Sequence, residues 1–325
     1  MSVIIPVFNG GEKFQMCLQS LKACSPAPDE VIVVADGESD GSWRFARDFG
    51  FSVIVLERST GPANARNQGA QTATGEILFF IDADVTVKPD VISVVRNVFE
   101  THPGVSAAIG SYDDAPLETN FLSQFKNLIH HYVHQHSRTQ ASTFWGACGA
   151  ILSQVFRAVN GFDARYRNPS IEDIELGCRL VDRGYLIRLE KTLCVKHLKR
   201  WQVTSLLRAD ILYRALPWSE LIIRQNRLNN DLNLTLSSRA SAVLVFLGMI
   251  SMVLIPVFGA MAALAFACGV LLMILNRDVY RFFLQKRGRV FTVKAVFWHW
   301  LYYLYSGAVF GWVLGREKLR KSLMP

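Results

Sequence analysis

Two carboxylates at the mouth of a buried strand are the first chemistry visible in this chain, because Asp82-Ala83-Asp84 directly follows the apolar run Ile77-Leu78-Phe79-Phe80-Ile81. Hard divalent cations take oxygen ligands, and Mg2+ is commonly shared between one or two carboxylates and the phosphates of a substrate. The triplet therefore suits Mg2+ or Mn2+ together with a nucleoside diphosphate, although alone it also reads as a solvated turn. Two further acidic positions have similar settings. Asp36 follows the apolar run 31–34, and Asp173 opens a segment of helical spacing, 174–184.

These carboxylates need elements to position them. The chain opens with Ser2-Val-Ile-Ile-Pro-Val-Phe-Asn9, and both this run and 31–34 read as parallel strands feeding loops. Helical spacing covers 11–23, 42–49, 62–73 and 89–99. Strands alternating with helices imply a doubly wound α/β sheet, in which ligands bind outside the carboxyl ends of the strands. Loops carrying Phe8, Asp36 and Asp82 are expected to converge there.

Four motifs in order resemble the family 2 glycosyltransferases, inverting nucleotide-sugar enzymes with the GT-A fold. They are Ser2-Val-Ile-Ile-Pro-Val-Phe-Asn9; Ala35-Asp36-Gly-Glu-Ser-Asp-Gly-Ser42; Gly61-Pro-Ala-Asn-Ala-Arg-Asn-Gln-Gly69 leading into Asp82-Ala-Asp84; and Gly161-Phe-Asp163 followed by Glu172-Asp173. The likeness spans roughly residues 2–201.

The resemblance implies a donor site of Pro6, Phe8, Asp36, Arg66, Asp82 and Arg200. Asp36 would read a uracil or guanine N–H, and Phe8 would offer a stacking face. Capping the turn before Ser42 is the alternative for Asp36. Arg66 would reach a base edge or phosphate, or be an exposed helix arginine. Asp84 matches the direct metal ligand, with Asp82 beside it. His197 is a third candidate ligand, or else a structural strand histidine. It occupies the glutamine position of an altered Gln-x-x-Arg-Trp motif, His197-Leu-Lys-Arg200-Trp201. Asp173 matches the catalytic base, and its alternative role is to favour a helix N-terminus. Trp145-Gly146-Ala-Cys-Gly149 resembles the small-residue strand beside the acceptor site, with Glu172 also on that side. Ala35 stands where the family often has an acidic residue, which weakens the case for base recognition there.

The 325 residues are half hydrophobic and carry a formal net charge of +8. Residues 1–201 suffice for one core, the expected GT-A catalytic domain. Residues 202–239 read as an amphipathic juxtamembrane segment, since 206–228 mixes Leu, Ile and Trp218 with Arg208, Arg214, Arg224 and Arg227. A solvated helix packed on the catalytic domain is its alternative. Residues 240–325 read as a membrane region, because 240–275 holds no charge and as one helix would be about 54 Å long, against a hydrocarbon core of about 30 Å. A hairpin turning at Pro256 and Gly259 resolves the excess. A basic loop 276–289, a spanning or interfacial stretch 290–314 rich in Trp and Tyr, and a basic tail complete the expectation.

With a core strand starting at Ser2 and no signal peptide ahead of it, the catalytic domain is expected to be cytoplasmic at the cell membrane. The basic clusters flank membrane segments, which points away from nucleic acid. Six cysteines lack metal-finger spacing and are expected as reduced thiols. His130 and His134 share a helical face, and with His131 and His136 they are expected on the acceptor side or near headgroups. The expectation is an inverting hexosyl transfer from a UDP- or GDP-sugar to a lipid or polyprenyl-linked acceptor. The alternatives are a processive polysaccharide synthase, a sugar nucleotidyltransferase, or an inactive membrane-bound nucleotide-sugar sensor.

Overall fold

The computed structural model describes residues 1–226 and 232–323, which divide into two compact units, Met1–Gln202 and Val203–Pro325. The first unit begins with the alternation β1 (Ser2–Val7), α1 (Gly11–Lys22), β2 (Glu30–Asp36), α2 (Trp43–Asp48), β3 (Ser52–Leu56), α3 (Pro62–Thr72) and β4 (Ile77–Ile81). β1 lies between β2 and β4, parallel to both, and β3 adds parallel to β2. Burial on both faces explains the unbroken apolar runs, since Val3, Ile4, Ile5, Phe79 and Phe80 are fully buried.

The second half departs from the doubly wound pattern. β5 (Val85–Thr86), α4 (Val91–Thr101), β6 (Val105–Tyr112), α5 (Phe121–His136), β7 (Gln140–Ala141), β8 (Cys148–Leu152), α6 (Ser153–Ala158), α7 (Glu172–Asp182) and β9 (Leu186–His197) follow in order. The sheet runs β3-β2-β1-β4-β8-β6-β9-β5, with β7 on β9. β8 is antiparallel to both β4 and β6, so the sheet is mixed. Phe80 meets Phe144, Phe156 and Phe162 beneath this half at centroid distances of 5.2–6.3 Å.

The second unit is helical. α8 (Val203–Arg208) continues through a π-helical stretch, Ala209–Ala215, into α9 (Leu216–Gln225). Arg227, counted among the basic residues of the expected juxtamembrane segment, lies outside the described residues, as do residues 324–325 of the expected tail. α10 (Leu236–Leu254) starts at Thr235, whose hydroxyl accepts from the Ser238 N–H at 3.3 Å. After a turn holding Pro256 and Gly259, α11 (Met261–Leu275) packs back on α10. α12 (Arg277–Leu323) follows at a 66° bend and is broken at Gly288, where φ is 76°. The segment 276–289, expected as a basic loop, is instead helical from Arg277 up to that break. The segment holds no proline, and Gly288 is its first glycine, so nothing earlier interrupts the hydrogen-bond ladder.

Among the described residues α10 alone is by itself long and apolar enough to cross a membrane, with a mean hydropathy of 1.7. α11 and α12 reach that standard only as a bent pair. Apolar side chains such as Val243, Ile250, Val253, Phe266 and Phe297 are exposed on these helices.

One close approach tests the packing of the first unit. A Cβ on Gly177, inside α7, would fall 2.2 Å from the amide nitrogen of Phe144, so Gly177→Ala forces backbone apart. It is expected to destabilise the intact chain by about 1–3 kcal/mol, read as a lower denaturation midpoint, and an unchanged midpoint would refute this packing.

Candidate active site

The ends of the parallel strands carry Pro6, Phe8 and Asp36, residues expected on the donor side. Asn9, directly after β1, accepts at Oδ1 from the Ser39 and Asp40 N–H groups at 2.8 and 3.3 Å, tying the loop after β1 to the loop after β2. Phe8 beside it is 57% exposed, and Pro6 is half-buried opposite Val34. Asp36 is buried and accepts from Ser59 Oγ, Thr60 N, Thr60 Oγ1 and Gly61 N at 2.7–2.9 Å. Its carboxylate fastens the approach to α3. The turn before α2 is capped instead by Asp40 on Ser42 N at 3.0 Å and Glu38 on Trp43 N at 2.7 Å.

Arg66, on α3, is 4% exposed and lies between two carboxylates. Nη2 donates to Asp82 Oδ1 at 2.7 Å and Nη1 to Glu172 Oε1 at 3.0 Å, while the guanidinium sits over the Phe162 ring at 5.4 Å. Burial alone would lower its proton affinity, but Asp82, Glu172 and Asp173 outweigh that and hold it firmly charged. Asn67, one residue on, accepts from Phe162 N at 2.9 Å and donates to Phe162 O at 2.8 Å, clamping the Gly161-Phe162-Asp163 turn to α3.

Asp173 is half-buried at the first turn of α7. Oδ2 accepts from Gly146 N at 3.0 Å and Oδ1 from Ile174 N at 2.8 Å. Desolvation and the charge of Glu172 push its pKa up to about 6, against the opposing pull of Gly146 N–H, Arg66 and Ile174 N–H. Glu172, expected on the acceptor side, is buried and engaged with Arg66 and with Ser170 N at 2.8 Å. Gly149 lies in β8 between Phe80 and Ile109. Arg200 is exposed and pairs with Glu118 at 3.4 Å.

Pairing of Val85 with His197 brings Asp84 Oδ2 to 3.9 Å from His197 Nε2. Two bonds of about 2.1 Å to one cation can span that separation. Among the described residues no three His, Cys, Asp or Glu side chains cluster as a metal site, so a cation here would take two protein ligands and complete its shell with water and substrate phosphate. Mn2+ or Mg2+ fits that description, with Asp82 alongside and one of its oxygens already on Arg66.

Sequence reasoning missed Tyr112 and Asn67. The His197 ring stacks on Tyr112 at 4.2 Å, and Tyr112 meets Trp145 at 4.8 Å and His130 at 4.6 Å. His130 stacks on His134 at 3.9 Å, and His131 Nδ1 lies 2.7 Å from Tyr112 O. Tyr112 ends a strand rich in small residues and carried no local signal. Asn67 lies within the third motif, but nothing local in sequence marks its two hydrogen bonds to Phe162, 95 residues away.

Residues 2–159 match the family described as Glycosyl transferase family 2. An uncharacterized glycosyltransferase, YibD, of Escherichia coli is 34% identical over 102 residues, 30% of this chain and 30% of that protein. A glucosyl-dolichyl phosphate glucuronosyltransferase of Haloferax volcanii is 31% identical over 104 residues, 31% of this chain and 33% of that one. The matched segment thus spans about a third of the length of these curated relatives. The structure of the mannosyltransferase PcManGT from Pyrobaculum calidifontis, in complex with GDP-Man and Mn2+, superposes with a TM-score of 0.58 at 16% identity, covering 96% of this chain and 86% of that one. That likeness is one of fold.

Metal binding can be read without turnover. In titrations of Mn2+ with a nucleoside diphosphate present, Asp84→Ala is expected to abolish the ternary signal and His197→Ala to weaken it roughly tenfold. Wild-type affinity in His197→Ala would return that histidine to a structural role.

Proposed function

We propose that this chain, which carries a family 2 glycosyltransferase domain of mixed α/β GT-A type, is an inverting hexosyltransferase that uses a nucleotide-sugar donor and a lipid or lipid-linked acceptor at the cytoplasmic face of a membrane. The observation that carries the chemistry is Asp173. Its carboxylate is held by two backbone N–H groups and directly follows Glu172, the residue that pairs with Arg66, with a pKa near 6 suited to accepting a proton at neutral pH.

In this reading the donor lies across the ends of β1, β2 and β4, its base toward Phe8 and the Asp36 loop and its diphosphate toward Asp82 and Asp84. A divalent cation bound there would offset the charge developing on the departing diphosphate. Asp173 takes the proton of the acceptor hydroxyl as its oxygen attacks the anomeric carbon from the face opposite the leaving group. Trp145 and Gly146 border the acceptor. UDP- and GDP-sugars are both compatible with this arrangement.

The lipid acceptor is supported by the second unit, whose helices expose apolar side chains that would otherwise face water. The Haloferax volcanii relative named for a dolichyl phosphate substrate supports it as well. An acceptor held in the bilayer presents its reactive group at the headgroup plane, so a membrane-anchored domain searches for it only locally.

Asp173→Asn is expected to retain nucleotide binding while transfer falls by about 10²-fold or more. The wild-type rate should fall about tenfold per pH unit below pH 6, because the protonated carboxyl cannot act as a base. Transfer by Asp173→Asn at near wild-type rate would refute the assignment. For the acceptor, membranes containing the full-length protein are supplied with radiolabelled nucleotide sugars and extracted with organic solvent. Label is expected in the organic phase, and label only on water-soluble or protein products would refute a lipid acceptor.

A further inference from the structure

Arg66 lies against two neighbours of Asp173, Glu172 before it in the chain and Gly146, one of the two residues whose N–H groups donate to it. Nη1 reaches Glu172, the residue immediately before it, whose other oxygen is held by Ser170 N, so the turn entering α7 is fixed at two points. The second neighbour is Gly146, whose N–H donates to Asp173. A Cβ on Gly146 would stand 3.1 Å from the Arg66 guanidinium carbon, so the bare glycine lets the guanidinium lie against this backbone. Through Nη2 the same side chain grips Asp82, at the strand end assigned to the donor. With Arg66 almost closed to solvent, contact with a nucleotide base would require rearranging these ion pairs.

Resting on the proposed transferase reading, we propose that Arg66 is a positioning residue for the base: clamped between Asp82 and Glu172, it fixes the turn that presents Asp173 and ties that turn to the donor side of the site. The charges support the same role. Glu172 beside Asp173 raises its proton affinity and Arg66 opposes it, so removing either neighbour should move the acid limb of the rate profile, in opposite directions. Loss of packing alone would lower rates without producing that opposition.

The test is the pH dependence of transfer between pH 5 and 8, using Mn2+ and a nucleotide sugar that the wild type turns over, with Arg66→Lys, Arg66→Met, Glu172→Gln and Asp173→Asn. Glu172→Gln is expected to move the acid limb down, and Arg66→Met to move it up, each by about half a pH unit or more. Arg66→Lys keeps a charge without the two-sided fork and is expected to lower kcat at least tenfold with donor KM changed less than about threefold. Should Arg66→Met not fold, Glu172→Gln and Arg66→Lys decide the matter. A limb that stays at its wild-type pH in Glu172→Gln, or an Arg66→Lys effect confined to donor KM, overturns the positioning role while leaving the base in place. Persistence of the wild-type limb in Asp173→Asn overturns both.

Discussion

A charged guanidinium taken out of water must be compensated on the spot, and in the first unit Arg66 is compensated by Asp82 and Glu172, which lie 16 and 106 residues away in the chain. Removing one partner of a buried pair typically costs about 3–5 kcal/mol, because the remaining charge is stranded. The three groups therefore specify their mutual arrangement: α3, the end of β4 and the start of α7 meet at one point or not at all. Gly61 belongs to the same constraint. At φ 94°, its Cβ would fall 2.2 Å from Arg167 O, so the loop leading to α7 can lie against the start of α3 only because this residue is glycine.

A different constraint organises the second unit, where apolar helices must still satisfy the few polar groups they bury. Asn276, at the bend before α12, donates to Ser241 Oγ on α10 at 3.0 Å and accepts from Tyr303 OH at 2.9 Å. Tyr305 OH donates to Asp210 in the π-helical stretch at 2.8 Å. Inside such a bundle these bonds fix helix register where apolar contacts alone are permissive. Apolar side chains such as Val243, Ile250, Val253, Phe266 and Phe297 are exposed on the outward faces, an arrangement that an aqueous surface disfavours.

The elements most legible in the sequence were those with unambiguous apolar runs or helix punctuation. β1, β2 and β4 are buried on both faces, and α3 begins at Gly61-Pro62, where proline suits the first turn. β6 and β8 were harder because Ala107, Ala108, Gly110, Gly149 and Ala150 give little hydrophobic contrast, and the antiparallel insertion of β8 depends on pairings far apart in sequence. Within the site, residue types were legible but partners were not. Arg66 read as a nucleotide contact and Glu172 as an acceptor-side carboxylate, each sensible alone, and no local pattern reveals that the two bind each other. Tyr112 illustrates the same limit, since its stacking with His197 joins β6 and β9, neighbours only in the folded sheet.

Adjacent carboxylates pose a last problem, because Glu172 and Asp173 share a helix start yet cannot both serve as base. Their surroundings divide the work. Glu172 is buried, with its oxygens committed to Arg66 and to Ser170 N–H, so it cannot turn toward an acceptor without breaking the ion pair. Asp173 accepts from two backbone N–H groups; desolvation first, and then the charge of Glu172, raise its affinity for a proton, while its half-buried position leaves it reachable. Of two neighbouring carboxylates, the one left reachable and with raised proton affinity is the one fitted for proton transfer. Asp173 satisfies that condition because Glu172 is occupied elsewhere, and Glu172 is occupied because Arg66 is buried beside it.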